Sequence, residues 1–411
     1  MARSAIADGR YIVISADGHA GADLLDYKPY LERRWHDDFD AWAATFHNPF
    51  ADLRSETRYQ NWDSERRTKE LDADGVVAEV LFPNTIPPFF DGGNLMLPPP
   101  TPENYERRWA GLQAHNRWTA DFCTELPGRR AGMVQVFLND VDAAVAEIRW
   151  GKEQGLFGGV LVPGVPPDAG IPPLYADVYE PIWAVCEELD VPVNNHSGSA
   201  APNYGSDPAA RPVLLTELGW FSHRSFWHLL YAGVFERHPD LKLVLTEQSG
   251  CSWVPGVLRH LDELCTRLRT PGSSESLFGG DVVAGLSLTP TEYWQRNCYV
   301  GASFMQRADA EVRHDVGVDR ILWGADYPHV EGTWPFTTES FRHTYAGVPT
   351  EEIAQMVGGN TAAAYGFDLD ALAPVAAEIG PRVGEVAVPL DDLPDAPLSR
   401  AFIEPSIVKP W

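Results

Sequence analysis

Two short apolar runs in this chain end in residues that could grip a cation: Ile12-Val13-Ile14-Ser15-Ala16 leads into Asp17-Gly18-His19, and Ile321-Leu322-Trp323-Gly324 leads into Ala325-Asp326. Side chains two apart on a strand share a face, so Asp17 and His19 could hold one ion from a single strand. A third run, Val191-Pro192-Val193-Asn194-Asn195, delivers His196 at its own end. Taken singly, each has an ordinary explanation: turn chemistry for the Asp-Gly-His triplet, a hydrogen-bonded histidine, a helix cap for Asp326. Their coincidence at three strand ends favours a metal centre built from carboxylate and imidazole. Asp326 could also exchange a proton with whatever binds there.

Such a centre needs a scaffold that collects distant strand ends. Eight apolar runs read as strands: Tyr11 to Asp17, Gly75 to Phe82, Ala131 to Leu138, Gly158 to Val162, Val191 to Asn195, Leu241 to Thr246, Cys298 to Ser303 and Arg320 to Gly324. Helix-like segments separate most of them, including Pro102 to Leu126, Asp140 to Gln154, Ala176 to Leu189, Glu217 to Arg237, Val254 to Arg267 and Ala308 to Val316. Alternation repeated eight times predicts an α/β fold, a (β/α)₈ TIM barrel, whose chemistry sits at the C-terminal face of the strands. The long segments Ala20 to Asp74, Asn84 to Thr101 and Ser197 to Thr216 then rise from that face as loop insertions and candidate lids. Glu351 to Tyr365 reads as a terminal helix. Residues 1–367 form the expected catalytic domain. Residues 368–411, acidic and Pro-rich, form a C-terminal arm expected to pack on the barrel or on a neighbouring subunit.

Composition narrows the partners. A formal charge of −26 disfavours nucleic acid and anionic membranes, which carry the same sign. No stretch reaches the roughly 20 apolar residues of a membrane span, and Met1 to Gly9 lacks a secretory apolar region, so a cytoplasmic protein is expected. The five cysteines, Cys123, Cys186, Cys251, Cys265 and Cys298, are odd in number and widely spaced, which indicates neither a disulfide framework nor a zinc knuckle. No nucleophile-elbow, phosphate-loop or dinucleotide pattern occurs, so serine hydrolase, nucleotidase and dehydrogenase chemistry lose support.

Several motifs together resemble a known group. Asp17-Gly18-His19, His196, Gly324-Ala325-Asp326-Tyr327-Pro328-His329 with Glu331-Gly332-Thr333, and Gly359-Asn360-Thr361 are similar to those of the amidohydrolase-related metal enzymes of the aminocarboxymuconate-semialdehyde decarboxylase type. The resemblance runs from Tyr11 to Phe367. It implies a TIM barrel with one divalent ion, zinc first and manganese second, held by Asp17, His19, His196 and Asp326. Many relatives open with His-x-His; the Asp-Gly-His of this chain is closer to the aromatic acid decarboxylases. Relatives also place a histidine on strand six, where this chain has Leu245-Thr246-Glu247-Gln248. An ionised glutamate cannot donate a hydrogen bond, so Glu247 is read as a further ligand, a proton shuttle, or a protonated donor with a raised pKa.

The expected function is non-oxidative decarboxylation of a small aromatic or conjugated carboxylic acid, a carbon–carbon lyase reaction. The alternative is hydrolysis of an amide, ester or lactone by metal-activated water. A third possibility is a binding protein that keeps the barrel without catalysis. Asp326 and Glu247 are the catalytic candidates. Arg54 and Arg58 in the first long loop could clamp a substrate carboxylate, His329 could orient Asp326 or substrate, and Trp220 could supply an aromatic wall. His223 and His228 read as packing or surface residues of a helix. A homodimer acting on a small molecule is expected.

Overall fold

Runs rich in Val, Ile and Leu pair side by side as parallel strands, as they do when both faces of a sheet are covered. The structure, a computed structural model, describes residues 5–92 and 97–403. Its barrel strands are β1 (Ile14–Ala20), β2 (Ala78–Pro83), β3 (Arg130–Gly132 continuing as Val134–Gln135), β4 (Val160–Leu161), β5 (Val193–His196), β6 (Leu243–Thr246), β7 (Cys298–Ser303) and β8 (Ile321–Gly324). One ladder joins β8, β7, β6, β5, β4 and the second part of β3, and another joins the first part of β3 to β2 and β1. The two ladders meet at Met133. Across the remaining seam, Gly18 bridges Tyr327, Asp326 N–H donates to Asp17 C=O at 2.8 Å, and His19 N–H donates to Tyr327 C=O at 2.7 Å. The strand order of a (β/α)₈ barrel is thus complete, with regular ladder bonding interrupted at two places.

The strands bury Val13, Ile14, Val80, Leu245, Val300, Leu322 and Trp323 in one continuous core. Each such aliphatic side chain contributes about 2 kcal/mol through its lost contact with water. Helices cover the outside, and some of their starts carry side-chain caps for the first backbone N–H groups. Asp63 accepts from Arg66 N–H to begin Ser64–Ala73, and Asp140 accepts from Ala143 N–H to begin Val141–Glu153. The first of these helices turns Arg67 and Leu71 inward. Among the described residues, no helix is long and apolar enough to cross a membrane.

Element boundaries depart from expectation where turn chemistry intervenes. The first strand begins at Ile14 because Tyr11 belongs to a small hairpin, Ile6–Ala7 against Arg10–Tyr11, turned by Asp8-Gly9 with φ of 48° and 72°. Asp17 and His19 therefore lie inside β1 instead of at its end. The helix expected over Glu217 to Arg237 runs from Ala210 to Tyr231 and is followed by a separate turn, Val234–Arg237, after Gly233 at φ 67°. Pro212 sits in the first turn of Ala210–Tyr231, where proline is tolerated.

Beyond Phe367, Asp368 caps a further helix, Leu369–Ile379, that buries Leu372 and Ala376. The chain then returns to the amino-terminal hairpin, where Tyr11 N–H donates to Pro381 C=O at 3.0 Å. Phe402 is buried beside Phe336 and His343. Up to residue 403 the C-terminal arm thus packs on its own barrel; Glu404 to Trp411 lie outside the described residues, as do residues 93–96 of the second candidate lid.

Candidate metal centre

At the mouth of the barrel, β1, β5 and the residues after β8 bring four side chains to one point. His19 Nε2 lies 3.3 Å from Asp17 Oδ1 and 3.1 Å from Asp326 Oδ1, and His196 Nε2 lies 3.7 Å from Asp17 Oδ1. All four residues are buried. Asp17 occupies a bulge: β1 pairs Ser15 with Glu79 and Gly18 with Leu81, so β1 carries one more residue than β2 over that interval. Ser15 Oγ stabilises the bulge by donating to Asp17 C=O at 2.6 Å and accepting from Ala325 N–H at 2.9 Å.

The outer atoms of the cluster are engaged while the inner ones are free. Asp17 Oδ2 accepts from Ser303 Oγ. His196 Nδ1 sits 2.9 Å from the Ser197 carbonyl and must donate to it, which leaves the Nε2 lone pair facing the cluster. His329 Nδ1 lies 2.7 Å from Asp326 Oδ1, and its Nε2 lies 3.1 Å from Asn84 Oδ1. Asp17 Oδ1, His19 Nε2, His196 Nε2 and Asp326 Oδ2 are buried without a hydrogen-bond partner. Buried polar atoms left this way are costly. Oxygens and nitrogens brought together from β1, β5 and the residues after β8 suit a divalent cation: ligand atoms of Asp17, His19 and His196 lie within 4.8 Å of one another, as do those of His19, Asp326 and His329, so Asp326 joins the centre through His19.

The electrostatics carry the same sense. Burial alone would raise the Asp17 carboxyl, but the imidazoles of His19 and His196 beside it hold it well below the usual range. Burial would lower His19, yet Asp17 and Asp326 hold its imidazole well above its ordinary value. Asp326 is likewise lowered against the effect of burial, chiefly by His329 and then by His19. Positive charge between these carboxylates is thus favoured, and a bound cation would supply it in place of a proton on His19.

Glu247 follows β6 and reaches the same cluster, with Oε2 3.3 Å from His196 Nε2 and about one fifth of its side chain exposed. Its carboxyl is pushed up to about 7, first by burial and then, against the pull of His196, by the carboxylates of Asp326 and Asp17. Glu247, Phe304 and Asp326 end β6, β7 and β8 with φ of 56°, 59° and 57°. Left-handed backbone costs a non-glycine residue about 1–2 kcal/mol, and three instances at one rim mark a site whose geometry outweighs local comfort.

The other expected site residues divide. Arg54 and Arg58 line a cavity of about 380 Å³ together with Phe46, Trp62, Thr85 and Ile86, next to the segments that leave β1 and β2. A chain of hydrogen bonds connects that wall to the cluster: Asn61 donates to Arg58 C=O, Asn84 donates to Asn61, and His329 meets Asn84. Trp220 lies elsewhere. The helix Ala210–Tyr231 turns Ser222, His223 and Phe226 inward, and Trp220, 47% exposed, lines an outer groove with Trp227, Tyr231 and Val257. None of the four clustered residues lines that groove, and none lines the Arg54–Arg58 cavity, which meets the cluster through the Asn61–Asn84–His329 hydrogen bonds. His223 stacks on Trp253 at 3.5 Å, and burial lowers His228 to about 4.

Sequence reasoning did not single out Ser15, Ser303, Asn84 or the buried pair Arg67–Glu79. The last had a signal: Glu79 is the lone charge in the apolar run Val76 to Phe82, and a buried carboxylate requires a buried cation.

Known proteins resemble this chain in sequence and in fold. The family model described as Amidohydrolase matches residues 63–367. Gamma-resorcylate decarboxylase of Rhodococcus jostii strain RHA1 is 26% identical over 323 residues, which cover 75% of this chain and 91% of that protein. Among solved structures, 5-carboxyvanillate decarboxylase LigW from Sphingomonas paucimobilis superposes with a TM-score of 0.64 at 18% identity, covering 87% of this chain and 99% of that one. A dihydroxybenzoic acid decarboxylase from Polaromonas sp. JS666, solved with bound manganese and the inhibitor 2-nitroresorcinol, superposes with a TM-score of 0.58 at 18% identity, covering 86% and 96%.

Proposed function

The chain belongs to the amidohydrolase family, and from that premise we propose that it is a metal-dependent, non-oxidative decarboxylase of a small aromatic carboxylic acid. The observation that carries the reading is the set of four orphaned ligand atoms from Asp17, His19, His196 and Asp326 at the barrel mouth. The similarity to gamma-resorcylate decarboxylase over 91% of that protein supports the choice of reaction.

These four residues would hold the ion, and a divalent ion there supplies positive charge that stabilises negative charge developing on the substrate. Two carboxylates and two imidazoles accept zinc or manganese; manganese is the first to try, given the ion in the Polaromonas structure. Arg54 and Arg58 would orient an anionic substrate in the 380 Å³ cavity, whose walls Phe46, Trp62 and Ile86 suit a flat ring. His329 keeps Asp326 in place through Nδ1. Asp326 and Glu247 handle the proton. One of their carboxyl groups delivers it to the ring carbon that bears the carboxylate; the bond from that carbon to the carboxylate then breaks, its electron pair returns to the ring, and carbon dioxide leaves. Glu247, with its carboxyl near 7, is suited to hold that proton at neutral pH.

We also propose a cytoplasmic homodimer, with residues 1–367 as the catalytic unit and the segment after it as a packing arm. The reaction is tested by incubating the manganese-loaded protein with hydroxybenzoates, conjugated carboxylic acids, amides and lactones and following product mass. Loss of 44 mass units from a carboxylic acid is the expected result. Gain of 18 from an amide or lactone, with no acid decarboxylated, would replace this reading by hydrolysis.

A further inference from the structure

Behind the ligand-bearing strand lies a buried ion pair with a second buried cation beside it, since Arg130, 1% exposed, has Nε 4.0 Å from Glu79 Oε1. Arg67 and Glu79 are 0% and 3% exposed, and they are joined by two hydrogen bonds, Nε to Oε1 at 2.7 Å and Nη2 to Oε2 at 2.6 Å. The remaining nitrogen, Nη1, donates to the carbonyls of His19 at 2.8 Å and Gln60 at 2.9 Å. Tyr327, whose own carbonyl accepts from His19 N–H, lies over the guanidinium at 4.7 Å. One cation thus contacts the backbone of a candidate ligand in β1, a carboxylate in β2, the first long loop, and the residue that follows Asp326.

The placement matters because β1 is irregular there. The extra residue between Ser15 and Gly18 removes the ladder pairing that would otherwise set the register at Asp17. Gly18, next to both ligands, approaches the pair so closely that a Cβ would fall 2.9 Å from Glu79 Oε2. Burying two charges is not an efficient way to stabilise a fold, since apolar side chains of similar volume serve as well. What an apolar pair cannot supply is a donor to the His19 carbonyl.

We propose that Arg67 and Glu79 are positioning residues for the metal centre: the pair holds the bulge that aims Asp17 and His19, and it sets the affinity of the site. The inference rests on the metal reading given above. Its test compares the wild type, Arg67→Met/Glu79→Leu and Arg67→Lys after chelation, by calorimetric titration with Mn²⁺, by thermal midpoint, and by the visible spectrum of the Co²⁺ form. The apolar double variant leaves the His19 and Gln60 carbonyls and Arg130 without their partners, so its midpoint should fall; in the protein that remains folded, affinity for Mn²⁺ should fall about 10–100-fold and the Co²⁺ spectrum should change. Arg67→Lys keeps the charge opposite Glu79 but loses the fork that reaches His19, so its affinity should fall roughly tenfold in a folded protein. Mn²⁺ affinity within twofold of wild type in Arg67→Lys, or in a folded double variant, would overturn the inference. A wild type that binds no divalent ion would overturn the metal reading itself, and this inference with it.

Discussion

Replacing Glu247 by glutamine removes one titrating proton from the mouth of the barrel and changes little else in shape. The wild-type carboxyl is raised from 4.5 to about 7 by burial and by the neighbouring carboxylates of Asp326 and Asp17. That shift is a preference of about 3 kcal/mol for the protonated form over a solvent-exposed glutamate. A group poised this way can hold a proton at neutral pH and release it to a ring carbon, a role worth roughly 10²–10⁴ in rate. If Glu247 delivers the proton, turnover of the wild type depends on the protonated form and falls as pH rises through its pKa. A bound cation lowers that pKa, so the descending limb should lie at or below about 7 in the loaded enzyme. Glu247→Gln should lose two to four decades of kcat and the descending limb with it, while keeping its thermal midpoint. The assay is steady-state kinetics on an accepted acid from pH 5 to 9, with metal content measured on the same samples. A variant with kcat within twofold of wild type and the same limb would refute the role.

Metal binding should release protons, because His19 holds one well above its ordinary pKa and a ligand imidazole must be neutral. Affinity for Mn²⁺ should therefore rise with pH, by about one decade per unit for each proton released; titration calorimetry in buffers of different ionisation heat counts them, and a count of zero would contradict a raised pKa at His19. Arg54→Ala and Arg58→Ala should raise KM for an aromatic acid roughly tenfold, the value of a charge-assisted hydrogen bond, with kcat within threefold; an unchanged KM in both removes them from the substrate cavity. Asp74, 7% exposed, has its carboxyl raised by burial to about 7 although Thr337 N–H and Oγ donate to it. A folded pKa above the unfolded one means that stability is fully present below about 4 and is lost as pH rises through 7, by up to about 4 kcal/mol. Asp74→Asn should flatten that loss, and denaturant midpoints at pH 4, 6 and 8 that fall equally in both proteins would contradict it.

The parts of the fold that read correctly from residues alone were those with a strong periodic signal. Buried parallel strands show as runs of Val, Ile and Leu, and Asp17, His19, His196 and Asp326 stood out because polar residues interrupt such runs. What escaped was governed by partners far away in sequence. Nothing local indicates that Asn84 meets His329 or that Ser303 meets Asp17, since those hydrogen bonds cross 245 and 286 positions. The hairpin at Asp8-Gly9 shifted the first strand by three residues, and turn chemistry of that kind did carry a signal, a two-residue Asp-Gly between Ile6-Ala7 and Arg10-Tyr11. Trp220 faces an outer groove of the helix Ala210–Tyr231. Proximity to a strand end in sequence says nothing about which face of a 22-residue helix a side chain occupies.

The central claim is that Asp17, His19, His196 and Asp326 form one divalent metal centre, and metal content tests it most directly. Elemental analysis of the purified protein, loaded with Mn²⁺ or Zn²⁺ and freed of excess, should give one ion per chain for the wild type and a small fraction of one for His196→Ala. The variant should still unfold cooperatively, since His196, though buried, ends β5 at the barrel mouth. Full occupancy in a folded His196→Ala protein, or none in the wild type, would contradict the account.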